Sequence, residues 1–229
     1  TMIAGTAVLQ AAGVLRERIL ERAADILEAA ERDLVIVDGG VAVKGSPSRT
    51  ISLREIAARA TGPAGAAELS EESRFDSEDM SFPYGLHCAA VEVDTETGGV
   101  EIHRYAITYD VGRAVNPTLV EGQMVGGAAQ GIGGALLEEL AYDPAGQLST
   151  GSFMDYLLPT AGEVPRVEVL VTEDAPTPLT PLGAKGAGEG GTAAAGAAVA
   201  NAVSDAIGVE VTELPLHPER VLRLLSQRA

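Results

Sequence analysis

The sequence predicts an α+β protein of two layered subdomains, each combining helices with short, mixed sheets. Three observations predict it: apolar residues at helical spacing near the start, a pair of alternating strand-like runs after residue 85, and long Gly- and Ala-rich helical stretches beyond them. With 229 residues, 46% of them hydrophobic, the chain can bury one good core or two small ones. The expected division is a helix-hairpin-helix unit over 1–62, a linker over 63–85 and a larger unit over 86–229.

From Ala7 to Arg32, the residues Val8, Leu15, Ile19, Ala23 and Ile26 recur at helical spacing, with Arg and Glu on the other face. Leu34 to Val37 and Val41 to Val43 flank Asp38-Gly39-Gly40 and predict a small hairpin. Ser52 with Glu55 is a capping-box pattern that starts a helix through Ile56 to Ala60. Residues 61–84 are rich in Gly, Ala, Ser and acids, as a linker or long loop would be.

Leu86 to Val93 and Val100 to Ile107 then alternate as a second hairpin, turning at Asp94 to Gly99. Cys88 lies in its first strand and is expected to be a buried, inert thiol. Asp110 to Pro117 is a loop, and Asn116-Pro117 favours a helix after it rather than before. That helix, Thr118 to Leu140, carries six glycines between Gly122 and Gly134. Each costs roughly 1 kcal/mol in a helix, so the run makes sense only if other backbone comes close. A strand at Arg166 to Thr172 and a helix at Thr192 to Ile207 follow, the latter with Val199, Val203 and Ile207 at four-residue spacing. Pro218 opens a last helix carrying Val221, Leu222 and Leu225.

The formal charge of −17, from 33 acidic and 16 basic residues, repels nucleic acid and anionic membranes, so neither is an expected partner. No apolar run approaches the roughly 18 residues of a membrane span, and no basic leader precedes one; a cytoplasmic protein is expected. The single cysteine excludes an internal disulfide, a four-cysteine zinc site and an iron–sulfur cluster held by this chain alone. His87 and His103 lie in expected strands and His217 precedes Pro218, so none is assigned a metal role.

The most informative segment is Pro181 to Thr192, PLGAKGAGEGGT, in which five glycines, Lys185 and Glu189 precede an Ala-rich helix. Such a loop exposes backbone N–H groups that, with a helix start, favour an anion, and its glycines let a large ligand touch the main chain. A plain tight or flexible loop remains the alternative. Gly186, Gly188 and Gly191 match a dinucleotide fingerprint, but Pro176, Pro178 and Pro181 do not suit the strand it needs, and no Ser or Thr follows Lys185 as in a phosphate-binding Walker loop. Glu189 is placed as a general base would be, or else it complements the helix dipole; the residues alone leave both open.

The segments EGQMVGGAAQGIGGALLEEL (Glu121 to Leu140), GSFMDYLLPTA (Gly151 to Ala161) and PLGAKGAGEGGT, with FPYG at Phe82 to Gly85 and DVGRAVNP at Asp110 to Pro117, resemble molybdenum hydroxylase large subunits of the xanthine dehydrogenase, aldehyde oxidase and carbon monoxide dehydrogenase family. Order and spacing agree with the last third of those subunits, and the likeness covers nearly the whole chain. The resemblance implies a molybdenum ion held by the dithiolene of a pyranopterin, as the cytosine dinucleotide in many bacterial members, and not by protein ligands. It also implies that Glu189 is the base acting on the water-derived oxygen that attacks the substrate carbon. Gln123 matches a glutamine that hydrogen-bonds near the molybdenum. The loop carrying Asp110, Gly112, Arg113 and Asn116 matches a segment that contacts the pterin dinucleotide, and Lys185, Gly186 and Gly188 complete the implied cofactor contacts. Many relatives carry Cys where Val111 stands, so a side-chain role at that position does not carry over from the resemblance. Lys185 would offset the charge of Glu189 or of a cofactor phosphate, or else be an exposed, solubilising residue.

The resemblance further implies an N-terminal remainder of the large subunit that completes the cofactor cleft and substrate pocket, with iron–sulfur and flavin (FAD) groups on partner subunits or domains of a larger oligomer. The reaction class is oxidation of an aldehyde, an N-heterocycle or carbon monoxide with water as oxygen source. The isolated chain is expected to bind cofactor weakly and to be inactive. A non-catalytic scaffold, or a phosphate- or nucleotide-binding module using the glycine loop alone, are the alternatives.

Overall fold

The computed structural model describes residues 2–60, 69–77 and 79–227, and the chain divides into two units, Thr1–Glu78 and Asp79–Ala229. In the first, helix α1 (Met2–Leu27) buries Thr6, Leu20 and Ala23. It ends short of the expected Arg32, where Glu28 takes a positive φ of 48° and a 3-10 turn follows over Glu31–Asp33. Strands β1 (Leu34–Val37), β2 (Gly40–Val43) and β3 (Ser46–Ser52) form an antiparallel sheet in that order. The hairpin turn is expected from the sequence; β3 is not, because only Ile51 of its polar SPSRTIS run is buried. Helix α2 (Leu53–Arg59) is capped reciprocally: Glu55 N donates to Ser52 Oγ at 3.1 Å, and Ser52 N donates to the Glu55 carboxylate at 3.0 Å.

Leu20, Ala23, Leu34, Val41, Ile51 and Ile56 make the core of this unit. Of the stretch expected as a linker, 61–68 lies outside the described residues. Leu69 packs on that core, Arg18 pairs with Glu71 at 2.7 Å, and Ser73 Oγ donates to Gln10 at 3.0 Å, so this part runs along α1.

In the second unit, β4 (Tyr84–Val93) pairs antiparallel with β5 (Val100–Asp110), and β6 (Val167–Thr172) joins β5 in parallel. A parallel pair needs a long crossover, and helix α3 (Pro117–Leu136) lies in it. Asn116 Oδ1 accepts from Leu119 N at 3.1 Å to cap α3, with Pro117 in the first turn. The helix expected from Thr192 is two pieces, a single turn α4 (Gly190–Ala193) and α5 (Ala195–Ile207), separated where Ala194 sits at φ −111°, ψ 3°. Gly208 at φ 68° ends α5, and α6 (Pro218–Ser226) closes the chain.

One face of this sheet, through Ile102, Tyr105 and Ile107, packs on Met124, Ala128, Ile132 and Ala135 of α3 and on Val199, Val203 and Ile207 of α5. The result is the layered α+β arrangement that the sequence predicts. The strand's period of two turns His87 inward and leaves Tyr84, Leu86 and Cys88 outside. Cys88 is therefore exposed, not buried as its apolar neighbours suggest. The glycines of α3 serve close approach at some positions only. A Cβ on Gly127 would lie 2.9 Å from Gly191 Cα and one on Gly131 2.4 Å from Ala195 Cβ, whereas Gly122, Gly126 and Gly134 face open space. Among the described residues no helix is long and apolar enough to cross a membrane.

Candidate active site

Helix α3 presents Gln123, Gly126, Gly127 and Gln130 along one face, and Gly188, Glu189, Thr192 and Ala193 stand opposite, enclosing a cleft of about 470 Å³. The two glycines lie between the two glutamines, so no side chain fills the space between their amides. Two hydrogen bonds stitch the walls together: Gln123 Nε2 donates to Gly188 O at 3.2 Å, and Thr192 Oγ1 donates to Gly127 O at 3.0 Å. Gly191 is pressed onto α3, since a Cβ there would lie 2.2 Å from Met124 O.

Glu189 sits at the cap position of α4, and its carbonyl accepts from Thr192 N and Ala193 N, both at 3.1 Å. Its side chain makes no capping bond and is exposed on the cleft. A carboxylate whose main job was to complement a helix start would have little to act on here, because α4 is a single turn. The geometry instead fixes the Glu189 backbone and leaves the carboxylate available to whatever occupies the cleft.

The preceding loop is fastened to the end of β5. Arg113 N donates to Gly183 O at 3.1 Å and Lys185 N to Val111 O at 2.8 Å. Gly112 at φ 68° is required there twice over, because a Cβ would also lie 2.2 Å from Gly183 O. The Asp110 carboxylate turns inward rather than toward the cleft. It accepts from Lys185 Nζ at 2.9 Å, Gly112 N at 2.9 Å, Asp174 N at 2.8 Å, Ala175 N at 3.1 Å and Thr172 Oγ1 at 3.2 Å. Burial pushes its pKa up, but these bonds, Lys185 foremost, outweigh burial and hold it at about 2.

Side-chain exposures of 6% for Lys185 and 1% for Asp110 make this a buried ion pair, and Lys185 Nζ also lies 4.5 Å from the centre of the Tyr84 ring. Lys185 is thus neither solubilising nor paired with Glu189. Of the other residues singled out from the sequence, Asn116 spends its side chain on the α3 cap and Arg113 is exposed. Gly186 and Gly188 are exposed too, and a Cβ on Gly186 would meet nothing within 4 Å. No strand leads into Gly186, since β6 ends at Thr172, so the context of a dinucleotide fingerprint is absent.

Sequence reasoning passed over His87. Its ring is buried, with Nδ1 2.8 Å from the Tyr105 hydroxyl and Nε2 3.0 Å from the carbonyl of Gly190, the residue after Glu189. The available signal was its place among Ala89, Val91 and Val93 on the inward side of β4. His103 is exposed against Glu92 at 2.9 Å, and His217 lies 3.4 Å from Glu139.

Amide donors, bared glycine backbone and one available carboxylate in a cleft of this size suit a large polar group. Comparison with known proteins agrees. The γ subunit of the 6-hydroxypseudooxynicotine dehydrogenase complex of Paenarthrobacter nicotinovorans is 44% identical over 228 residues, covering 96% of this chain and 29% of that protein. The nicotine 6-hydroxylase large subunit of the same organism is 41% identical, covering 97% of this chain and 28% of that subunit. The crystal structure of quinoline 2-oxidoreductase from Pseudomonas putida 86 superposes with a TM-score of 0.83 at 39% identity, covering 95% of this chain and 29% of that one. The chain therefore spans under a third of the length of these relatives. The family model for the molybdopterin cofactor-binding domain matches residues 1–165, more than half of the sequence, and the chain belongs to that family.

Proposed function

We propose that this chain forms one wall of the active site in the large subunit of a molybdenum hydroxylase that oxidises a ring carbon of an N-heterocycle with oxygen from water. The observation that carries the proposal is the cleft in which the Glu189 carboxylate and the Gln123 amide share a glycine-bared seam. Relatives named for nicotine and quinoline support the substrate class. Bound in the cleft, a molybdenum–pterin group, as the cytosine dinucleotide, supplies the two-electron oxidant.

Glu189 acts as general base, taking a proton from the water whose oxygen is transferred. Gln123 donates from α3 and orients the group in front of Glu189. Gly186 and Gly188 would hold the group through exposed main-chain N–H groups, and the exposed guanidinium of Arg113 would offer charge to its phosphates. Asp110, Gly112, Lys185 and Asn116 act from behind, holding the two loops and the start of α3. Net hydroxylation releases two electrons and two protons per substrate. Iron–sulfur and flavin groups on partner subunits take the electrons, and the remainder of the large subunit closes the pocket; a relative named as one subunit of a complex supports this arrangement. Both units of the chain belong to the cofactor-binding region in this reading, and the exposed Cys88 thiol suits a reducing, cytoplasmic location.

The test is the molybdenum and pterin content of the complete large subunit, purified with its partner subunits, and its turnover of quinoline or nicotine. Stoichiometric molybdenum and pterin with turnover, and weakened cofactor retention in Gln123→Ala, are expected. An assembly that folds without pterin would contradict the proposal.

A further inference from the structure

We infer that His87 is a positioning residue for Glu189: its imidazole holds the Gly190 carbonyl and so sets where the neighbouring carboxylate stands in the cleft. The inference rests on the reading of Glu189 as base. The bonding pattern and burial together select one arrangement of protons. Gly190 O can only accept, so Nε2 carries the hydrogen and donates across 3.0 Å. A neutral ring then offers Nδ1 as acceptor to the Tyr105 hydroxyl at 2.8 Å. Burial lowers the pKa of the ring, so it takes up no second proton, and burial pushes the Tyr105 hydroxyl up to about 12, so that group keeps its own. The two rings also meet edge to face, with centroids 5.8 Å apart and an interplanar angle of 89°.

The effect reaches Glu189 through a short and rigid path. Gly190 is closely packed, since a Cβ on it would lie 2.5 Å from Tyr109 Cζ and 2.8 Å from Met124 Cε. His87 is held in β4 opposite Ile107 of β5, so the sheet fixes the donor while α3 backs the acceptor. Between them, the Gly190–Gly191 peptide is set from both sides, and the Glu189 carbonyl just before it is held by Thr192 N and Ala193 N. At the other end of the same loop, Lys185 is fixed by Asp110. Glu189 thus projects from a segment anchored at both ends, while its own side chain is bound to neither.

Two amide substitutions separate positioning from fold support. In His87→Gln the amide nitrogen reaches about as far as Nε2 and can still donate to Gly190 O. In His87→Asn it falls near Nδ1, keeping a polar partner for Tyr105 but losing Gly190. In the complete, partner-bound enzyme, His87→Asn is expected to lower kcat roughly 10- to 100-fold with KM within about threefold, because a displacement of about 1 Å is enough for such a loss. His87→Gln is expected to stay within about fivefold of the parent kcat, with molybdenum content unchanged in both variants. Hydrogen–deuterium exchange over 186–197, read with and without cofactor, should be faster in His87→Asn than in His87→Gln.

Equal behaviour of the two variants, or loss of metal and fold in both, overturns the inference. Glu189→Gln is run alongside. If it is inactive while the two His87 variants behave alike, this inference alone falls; if it retains turnover, the reading of Glu189 as base falls, and the exchange data still decide whether His87 holds the segment.

Discussion

Replacing Lys185 by methionine keeps the length of the side chain and removes its charge from beside Asp110. At 2.9 Å the attraction is roughly 6 kcal/mol for an effective dielectric of about 20. About half of that is returned. The ammonium no longer has to leave water, and Asp110 keeps its donors on Gly112, Asp174, Ala175 and Thr172. The net cost should be about 3 kcal/mol, at the low end for breaking a buried pair, and should lower Tm by roughly 6–12 °C in a unit of this size.

The acid limb carries a second signature. The folded pKa of Asp110 is about 2 against an ordinary 3.8, so its stabilising contribution is complete above the ordinary value and is lost as pH falls toward 2. Without Lys185 the folded pKa rises toward the ordinary value, so the window narrows from its acid side and less stability is lost across it. Thermal denaturation followed by circular dichroism between neutral pH and pH 2 reads both effects. Combining Lys185→Met with Asp110→Asn should cost less than the two singles together by at least about 1.5 kcal/mol. A Tm change under about 2 °C for Lys185→Met, or simple additivity, would refute the view that this pair latches the glycine loop to β5.

Gly191→Ala places a methyl group 2.2 Å from Met124 O and should destabilise the protein by about 2–3 kcal/mol, whereas Gly186→Ala meets nothing within 4 Å and should leave Tm unchanged while weakening cofactor retention. Denaturation curves alongside molybdenum content check the pair. Ser52→Ala removes the reciprocal α2 cap and should cost about 1 kcal/mol, read by urea denaturation, with no change in molybdenum content.

How much of this was legible in the sequence depended on whether a local pattern carried the structure. The α2 capping box, the two hairpins and the Asn116-Pro117 start of α3 are local signals, and each lies where the pattern put it. Strand β3 is an edge strand with Pro47 and Arg49, so the alternation that betrays a half-buried strand is absent. The face of β4 was misread because its inward residue near the site is a histidine, while the apolar Leu86 and Cys88 point out. The cleft itself was half legible. Gly188 and Glu189 stood out in the glycine loop and Gln123 through the family resemblance, but the inward turn of Asp110 and the reach of His87 to Gly190 join positions 75 and 103 residues from their partners. Only the folded backbone brings them together.

The central claim is tested most directly by Glu189→Gln in the complete enzyme, with turnover, molybdenum and pterin measured on the same preparation. The amide keeps the size of the side chain and cannot take a proton. The account predicts unchanged molybdenum and pterin with kcat reduced roughly 10²- to 10⁴-fold, the range set by loss of a general base. A variant that keeps its cofactor and turns over within about tenfold of the parent would contradict it.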